Sequence, residues 1–440
     1  MNKAFSKLFF LIFISFSSLA SEYIIMDEES ESFLEDIIEK ISGALNYKQK
    51  ISVYISNSQV LNACANQRGD ILINAGAILR CSDVCELIAI IAHEVGHIAG
   101  SHITAFLANR SDFMRAGLVT MLIGATASIL ARDAAPLAAG VLGGQNMTQK
   151  MALTKLRQKE SMADTRSAEA IKKLGWPIFK SFVSIYEKLS AGIPIYNVYE
   201  STHPYSADRV AKFRKLYEEE KNKEFDEEKI ELIKSMQKKF EIIQTKIKAL
   251  VFNPSYIIDL YRNPKNNSEK YAKAIALYKN RKFEESEKLI DDILADKEEV
   301  FNAANLTEIK AMCLIKRNKP EEAAKISYQY LNQKDTHRDL GIIYADAVVV
   351  GELDRKQIKQ AIRMLNKIRI KYKNELSIID MLGRLYSINN EEDKSRLCSA
   401  EIASQIGDEK TAVLHARKAS KSKNKFVRRN ALDILTSCDR

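Results

Sequence analysis

The sequence predicts a mostly helical α+β chain: a first domain with a small sheet, followed by an all-α solenoid of helical hairpins. Three observations predict it. Residues 51–56 (ISVYIS) alternate apolar and polar, and residues 71–75 (ILINA) form a short apolar run behind a turn at Gly69-Asp70, so each reads as a strand. Most of the remaining apolar residues recur at helical spacing. Beyond Pro264 a segment recurs: Leu277-Tyr278 followed by Arg281-Lys282-Phe283-Glu284-Glu285-Ser286 resembles Leu314-Ile315 followed by Asn318-Lys319-Pro320-Glu321-Glu322-Ala323, at an offset of 37. A period in the mid-thirties is that of stacked helix–turn–helix units, as in tetratricopeptide arrays.

The elements follow in chain order. Lys3 and Lys7, the uncharged apolar stretch from Leu8 to Phe16, and Ser18-Leu19-Ala20 have the layout of a cleavable secretory signal over residues 1–20, with an uncleaved anchor as the alternative. Residues 24–50 contain a helix with Phe33, Ile37, Ile38, Ile41 and Leu45 on one side. Helix, strand, strand and helix then give a small α+β unit, the second helix starting near Asp83, where Asp83 and Glu86 have capping-box spacing. From Gly117 to Ala131 no residue is charged. A helix of that length reaches about 22 Å, short of a hydrocarbon core of about 30 Å, so it reads as buried or as touching a membrane surface. Residues 134–144 are small and Gly-rich, the composition of a mobile segment. Charged helices occupy 151–190 and 206–250, and weaker echoes of the repeat fall at Gly351-Glu352-Leu353 and Gly407-Asp408. The expected divisions are a signal peptide at 1–20, a first domain at 21–262 and the repeat domain at 263–440.

Composition excludes little except wholesale disorder: 46% of residues are hydrophobic and 28% charged. The net charge of +10 permits a nucleic-acid binder, but lysines alternate with glutamates along the helices, the pattern of solvated faces, and no nucleic-acid partner is expected. Six cysteines in an exported chain permit disulfides. One bridge among Cys64, Cys81 and Cys85 and buried free thiols are equal alternatives. His337 and His415, in the repeats, read as surface residues.

The segment with chemistry is Ile90-Ile91-Ala92-His93-Glu94-Val95-Gly96-His97. On a helix, positions i and i+4 share a face, so His93 and His97 aim two imidazoles at one ion, and two neutral imidazoles suit zinc. Glu94 then sits beside the metal, where a general base takes a proton from water. Catalytic zinc needs a third protein ligand. Glu160 is the candidate, in a helical stretch 63 residues after His97. Asp164, four residues further on the same face, can hold the NH of a ligand histidine. One Zn2+ per chain is expected.

His93-Glu94-x-x-His97 with Glu160-Ser161-Met162-Ala163-Asp164 resembles the HExxH…ExxAD pattern of the family-48 metallopeptidases, which are gluzincins. The leader and the C-terminal repeats are similar to the periplasmic, BepA-like branch with tetratricopeptide repeats. The motifs cover about residues 24–250, and the likeness beyond 265 is architectural. The resemblance implies a zinc-dependent endopeptidase of the bacterial periplasm. It implies quality control of misfolded or stalled outer-membrane proteins, and contact with their assembly machinery through the repeats. It also implies that His203, in Thr202-His203-Pro204, is a fourth ligand that plugs the metal, and that Arg209 orients the site or the substrate. One departure is Cys64-Ala65-Asn66-Gln67-Arg68-Gly69, where relatives have a Pro-Gly-Gly-like turn. Substrate is expected to add as an extra strand along about 62–75. Two competing readings are a periplasmic chaperone or assembly factor whose protease site is latent and plugged, and a membrane-bound protease that uses 117–144 as an anchor or peripheral contact.

Overall fold

The computed structural model describes residues 23–66, 69–100, 146–190, 203, 207–296, 301–333 and 337–438. The leader at 1–20 and the stretch 117–144 lie outside the described residues. No described helix is long and apolar enough to cross a membrane. The described residues are mostly helical, with one small sheet.

Strand β1 (Ile24–Ile25) leads into α1 (Glu28–Ala44). Asp27 starts this helix by accepting from Ser30 N, and Glu28, Glu29 and Glu31 lie in the first turn, where the helix dipole favours negative charge. Phe33, Leu34, Ile37, Ile38 and Ile41 bury its inner stripe. Strands β2 (Ser52–Ser56), β3 (Ala63–Ala65) and β4 (Asp70–Asn74) complete a sheet of order β1-β2-β4-β3. β4 pairs parallel with β2 and antiparallel with β3. All five β4 residues are buried, which is why that strand reads as a continuous apolar run. The expected helix and two strands are present. β1, β3 and helix α2 (Ala75–Arg80) were not expected, and Ala75 starts α2 instead of closing the strand.

Helix α3 (Val84–Gly100) is buried around most of its circumference, so it is the core helix of the first domain. Asp83 accepts from Glu86 N at 2.9 Å, as the capping spacing predicts. The Glu86 carboxylate, however, reaches Ser82 N at 2.7 Å and Lys188 instead of closing a reciprocal box. Helices α4 (Asn146–Leu174), α5 (Phe179–Ser190), α6 (Ala207–Glu220) and α7 (Glu227–Val251) follow. α3 packs against α1, α4, α5, α7 and β3. The α3–α4 crossing is close: a Cβ on Gly96 would come within 2.4 Å of the Ala163 carbonyl oxygen.

After α8 (Pro254–Leu260) come α9 (Asn267–Lys279), α10 (Phe283–Asp296), α11 (Ala303–Lys316), α12 (Pro320–Gln333), α13 (Arg338–Val350), α14 (Arg355–Lys371), α15 (Leu376–Ile388), α16 (Glu392–Ile406), α17 (Glu409–Ala419) and α18 (Lys425–Cys438). Each packs on the next, and α9/α11, α11/α13, α13/α15 and α16/α18 also meet, the layering of a helical-hairpin array. The repeat seen in sequence is a repeated turn. Arg281, Asn318, Glu352 and Asn390 all have positive φ. The residue after each donates its N–H back to the preceding helix: Lys282 to Leu277 O, Lys319 to Leu314 O, Leu353 to Val348 O and Glu391 to Tyr386 O, at 2.8–3.1 Å.

The first turn of α1 joins the two parts. Lys246 of α7 reaches Asp27 and Glu29 at 2.5 and 2.7 Å, and Arg338 of α13 reaches Glu31 at 2.6 Å. His337 is here, and this corrects the surface reading. Its Nδ1 caps Leu340 N at 3.2 Å and lies 3.1 Å from Glu28, and its Nε2 meets Asn305 at 2.5 Å. All six cysteines are free, so the bridge weighed among Cys64, Cys81 and Cys85 does not form. Burial pushes the Cys64 and Cys85 thiols up to about 12.

Candidate metal centre

α3 and α4 present the site's side chains from two facing helices. On α3, His93 and His97 are one turn apart, with Nε2 atoms 3.0 Å from each other. On α4, Glu160 and Asp164 repeat that spacing. Glu160 Oε2 lies 3.2 Å from His93 Nε2, and Oε1 lies 3.3 Å from His97 Nε2. His203 comes from outside both helices. Its Nδ1 is 3.2 Å from His93 Nε2, 3.4 Å from His97 Nε2 and 3.2 Å from Glu160 Oε2.

Three imidazole nitrogens and a carboxylate therefore converge on one point, all but His97 deeply buried. Ligands about 2.0–2.1 Å from a tetrahedral zinc stand about 3.3–3.4 Å apart, close to the separations here. Hydrogen bonding alone explains the cluster poorly, because three ring nitrogens around one point cannot all find complementary donor and acceptor roles. The donor set fits a zinc-sized cation.

Glu94, next to His93 in sequence, is fully buried, and neither of its carboxylate oxygens has a hydrogen-bond partner. His203 Nε2 lies 3.5 Å from its Oε1. A buried carboxylate without donors is costly, and this one lies beside the cluster, against His203, with acceptor capacity to spare.

A second layer holds the first. His93 Nδ1 is 3.0 Å from Asp164 Oδ1. Arg209 of α6 donates Nε to Asp164 Oδ2 at 2.7 Å and Nη2 to Oδ1 at 2.9 Å, and its Nη1 lies 3.0 Å from Glu160 Oε2. Tyr186 of α5 donates to Asp164 at 2.8 Å and accepts from Arg209 at 2.6 Å. Burial alone would raise both carboxyls. Contacts with His203, His93 and His97 outweigh it for Glu160, and contacts with His93 and Arg209 outweigh it for Asp164, so both are held well below the usual carboxylate range. Burial works against a charge on His93, but Asp164 and Glu160 raise its pKa overall. Arg209 is raised despite burial by Tyr186, Asp164 and Glu160.

The structure thus brings together His93, Glu94, His97, Glu160, Asp164, His203 and Arg209. Sequence reasoning missed Tyr186 and Gly96. Tyr186 looks like any core aromatic of an amphipathic helix, whereas Gly96, a glycine inside a core helix, was a readable sign of close packing.

The expected substrate strand needs correcting. β4 is paired on both sides, so within 62–75 it is β3 that lies at an edge of the sheet. Asn74 N donates to Asn62 O and Asn66 N to Asp70 O, so the main-chain groups of Ala63 and Ala65 point away from β4. His203 Nε2 lies 3.4 Å from Ala63 O on that edge.

Residues 28–217 match the family model described as Peptidase family M48. The match runs from α1 into α6, includes every residue of the constellation, and supports a family M48 metallopeptidase. The repeats lie outside the matched stretch. No curated protein matches the chain.

Proposed function

We propose that the chain is a zinc-dependent endopeptidase of the gluzincin type whose resting site is closed by His203. The observation that supports it most is the tetrahedral convergence of His93, His97, Glu160 and His203 beside the unpartnered carboxylate of Glu94. Bound zinc would supply an acidified water and a Lewis acid for the scissile carbonyl. Glu94 takes the proton of the attacking water and passes it to the leaving amine. Asp164 faces the Nδ1 of His93 at 3.0 Å, and Arg209 holds both Asp164 and Glu160. Substrate lies extended along β3, using the outward groups of Ala63 and Ala65. Such recognition reads backbone, which suits unfolded β-rich chains. In this reading the chain is exported to the bacterial periplasm. There it acts on misfolded or stalled outer-membrane proteins, and its tetratricopeptide-like repeats engage their assembly machinery.

The position of His203 also favours a second reading. With four protein donors the site has the closed form of a structural zinc centre, as in a chaperone or assembly factor with a latent protease. Zinc content and casein cleavage of the unmodified protein, His203→Ala and Glu94→Gln separate the two. The plugged protease binds zinc in all three, gains cleavage in His203→Ala and cleaves nothing in Glu94→Gln. Stoichiometric zinc without cleavage in any form favours the chaperone, and undiminished cleavage in Glu94→Gln rules out the mechanism.

A further inference from the structure

Between Lys410 and Leu432 the chain has eight Lys and Arg residues and no Asp or Glu. The whole chain has a formal net charge of +10, so this short stretch dominates the excess. It runs through α17, the turn and the first half of α18, the last hairpin. Arg417 and Lys418 end α17, Lys421 and Lys423 lie in the turn, and Lys425, Arg428 and Arg429 open α18. These seven side chains are exposed. Among the described residues none of them makes an ion pair, whereas on earlier repeats Lys310 pairs with Asp291, Arg317 with Glu284 and Glu287, and Arg369 with Glu401. The alternation of lysine and glutamate that marks a solvated face is therefore absent here.

Apolar side chains stand among these charges. α18 buries Val427 and Ala431, which turns Phe426 outward at 70% exposure, and Leu414 and Leu432 are about half exposed. Leaving a Phe in water forgoes the gain of burying it.

We propose that this last hairpin is a docking surface for an anionic phospholipid bilayer. An anionic leaflet attracts each nearby Lys or Arg, and its headgroup boundary takes up apolar side chains set among cations. Nucleic acid would satisfy the charges and a base could stack on Phe426, but it would leave Leu414 and Leu432 uncovered, whereas a headgroup boundary takes up all three. The surface contains none of the residues placed at the metal centre, so it stands or falls separately from the proposed peptidase activity.

Vesicle co-sedimentation of the full chain tests it, with phosphatidylcholine alone against phosphatidylcholine rich in phosphatidylglycerol, at low and high salt. The chain should pellet with the anionic vesicles only, and salt should release it. Arg428→Glu with Arg429→Glu should weaken partitioning by at least about tenfold. Phe426→Ser should weaken it by about tenfold and keep the salt dependence. Both variants alter exposed positions, and an unchanged circular dichroism spectrum checks the fold. Equal pelleting with neutral vesicles, wild-type partitioning of the charge-reversed variant, or capture of single-stranded DNA without vesicle binding would each overturn the proposal.

Discussion

The hydroxyl of Tyr186 is buried between opposite charges, donating to Asp164 and accepting from the Arg209 guanidinium. Phenylalanine at 186 would keep the ring and remove the group that holds both. Partners of this kind commonly change metal affinity by about 10–100-fold. Tyr186→Phe should therefore bind zinc at least about tenfold more weakly in chelator competition, with its fold retained. Unchanged affinity would reduce Tyr186 to a packing residue. At this scale the sequence is uneven in what it reveals. The i, i+4 spacing of His93 and His97, and again of Glu160 and Asp164, is enough to put each pair on one face, because helix geometry is local. His203 and Arg209 had no such local signal and entered only through a family resemblance. Tyr186 had neither, since only the folded chain shows which polar group a core tyrosine meets.

α3 and α4 act as a pair, and Gly96 sets their spacing. An added Cβ would lie 2.4 Å from the Ala163 carbonyl oxygen, which is backbone and cannot rotate away. Gly96→Ala should force the helices apart near Glu160, one turn from Ala163. Overpacking costs about 1–3 kcal/mol, and zinc affinity should fall before helix content does. Titration of zinc beside circular dichroism checks the order, and full affinity with normal helicity would show that α4 does not hold Glu160 at a fixed distance. Element by element, legibility depended on length and side-chain size. β2 and β4 were visible because Val, Ile and Leu mark them, whereas β3 is Ala-Cys-Ala, three small residues without a period. The hairpin turns at Arg281 and Asn318 showed up as a repeat because their flanking residues are alike. The equivalent turn at Asn390 has other neighbours and went unread, although the backbone there adopts the same positive φ.

The two halves of the molecule meet at residues 27–31, where four carboxylates within five positions face Lys246 and Arg338. Glu28 is shared three ways: it accepts from Arg338 N, lies 3.1 Å from His337 Nδ1, and receives Tyr372 OH at 2.5 Å. Glu31 pairs with Arg338 in this junction. Burial pushes its carboxyl up to about 7, against the pull of Arg338. A carboxyl raised in this way holds its proton more tightly folded than unfolded. Its cost is absent below the unfolded value of about 4.5 and grows as the pH rises to about 7, so stability falls across that window. Glu31→Gln removes this titration and keeps the shape. The decline in stability between pH 5 and 7 should become shallower by up to one proton's worth, about 1.4 kcal/mol per pH unit, in urea denaturation at several pH values. Glu220, also raised to about 7 by burial, is present in both proteins, so the difference between their slopes isolates Glu31. Identical slopes would mean that Arg338 keeps Glu31 ionised throughout and that the junction is insensitive to acid.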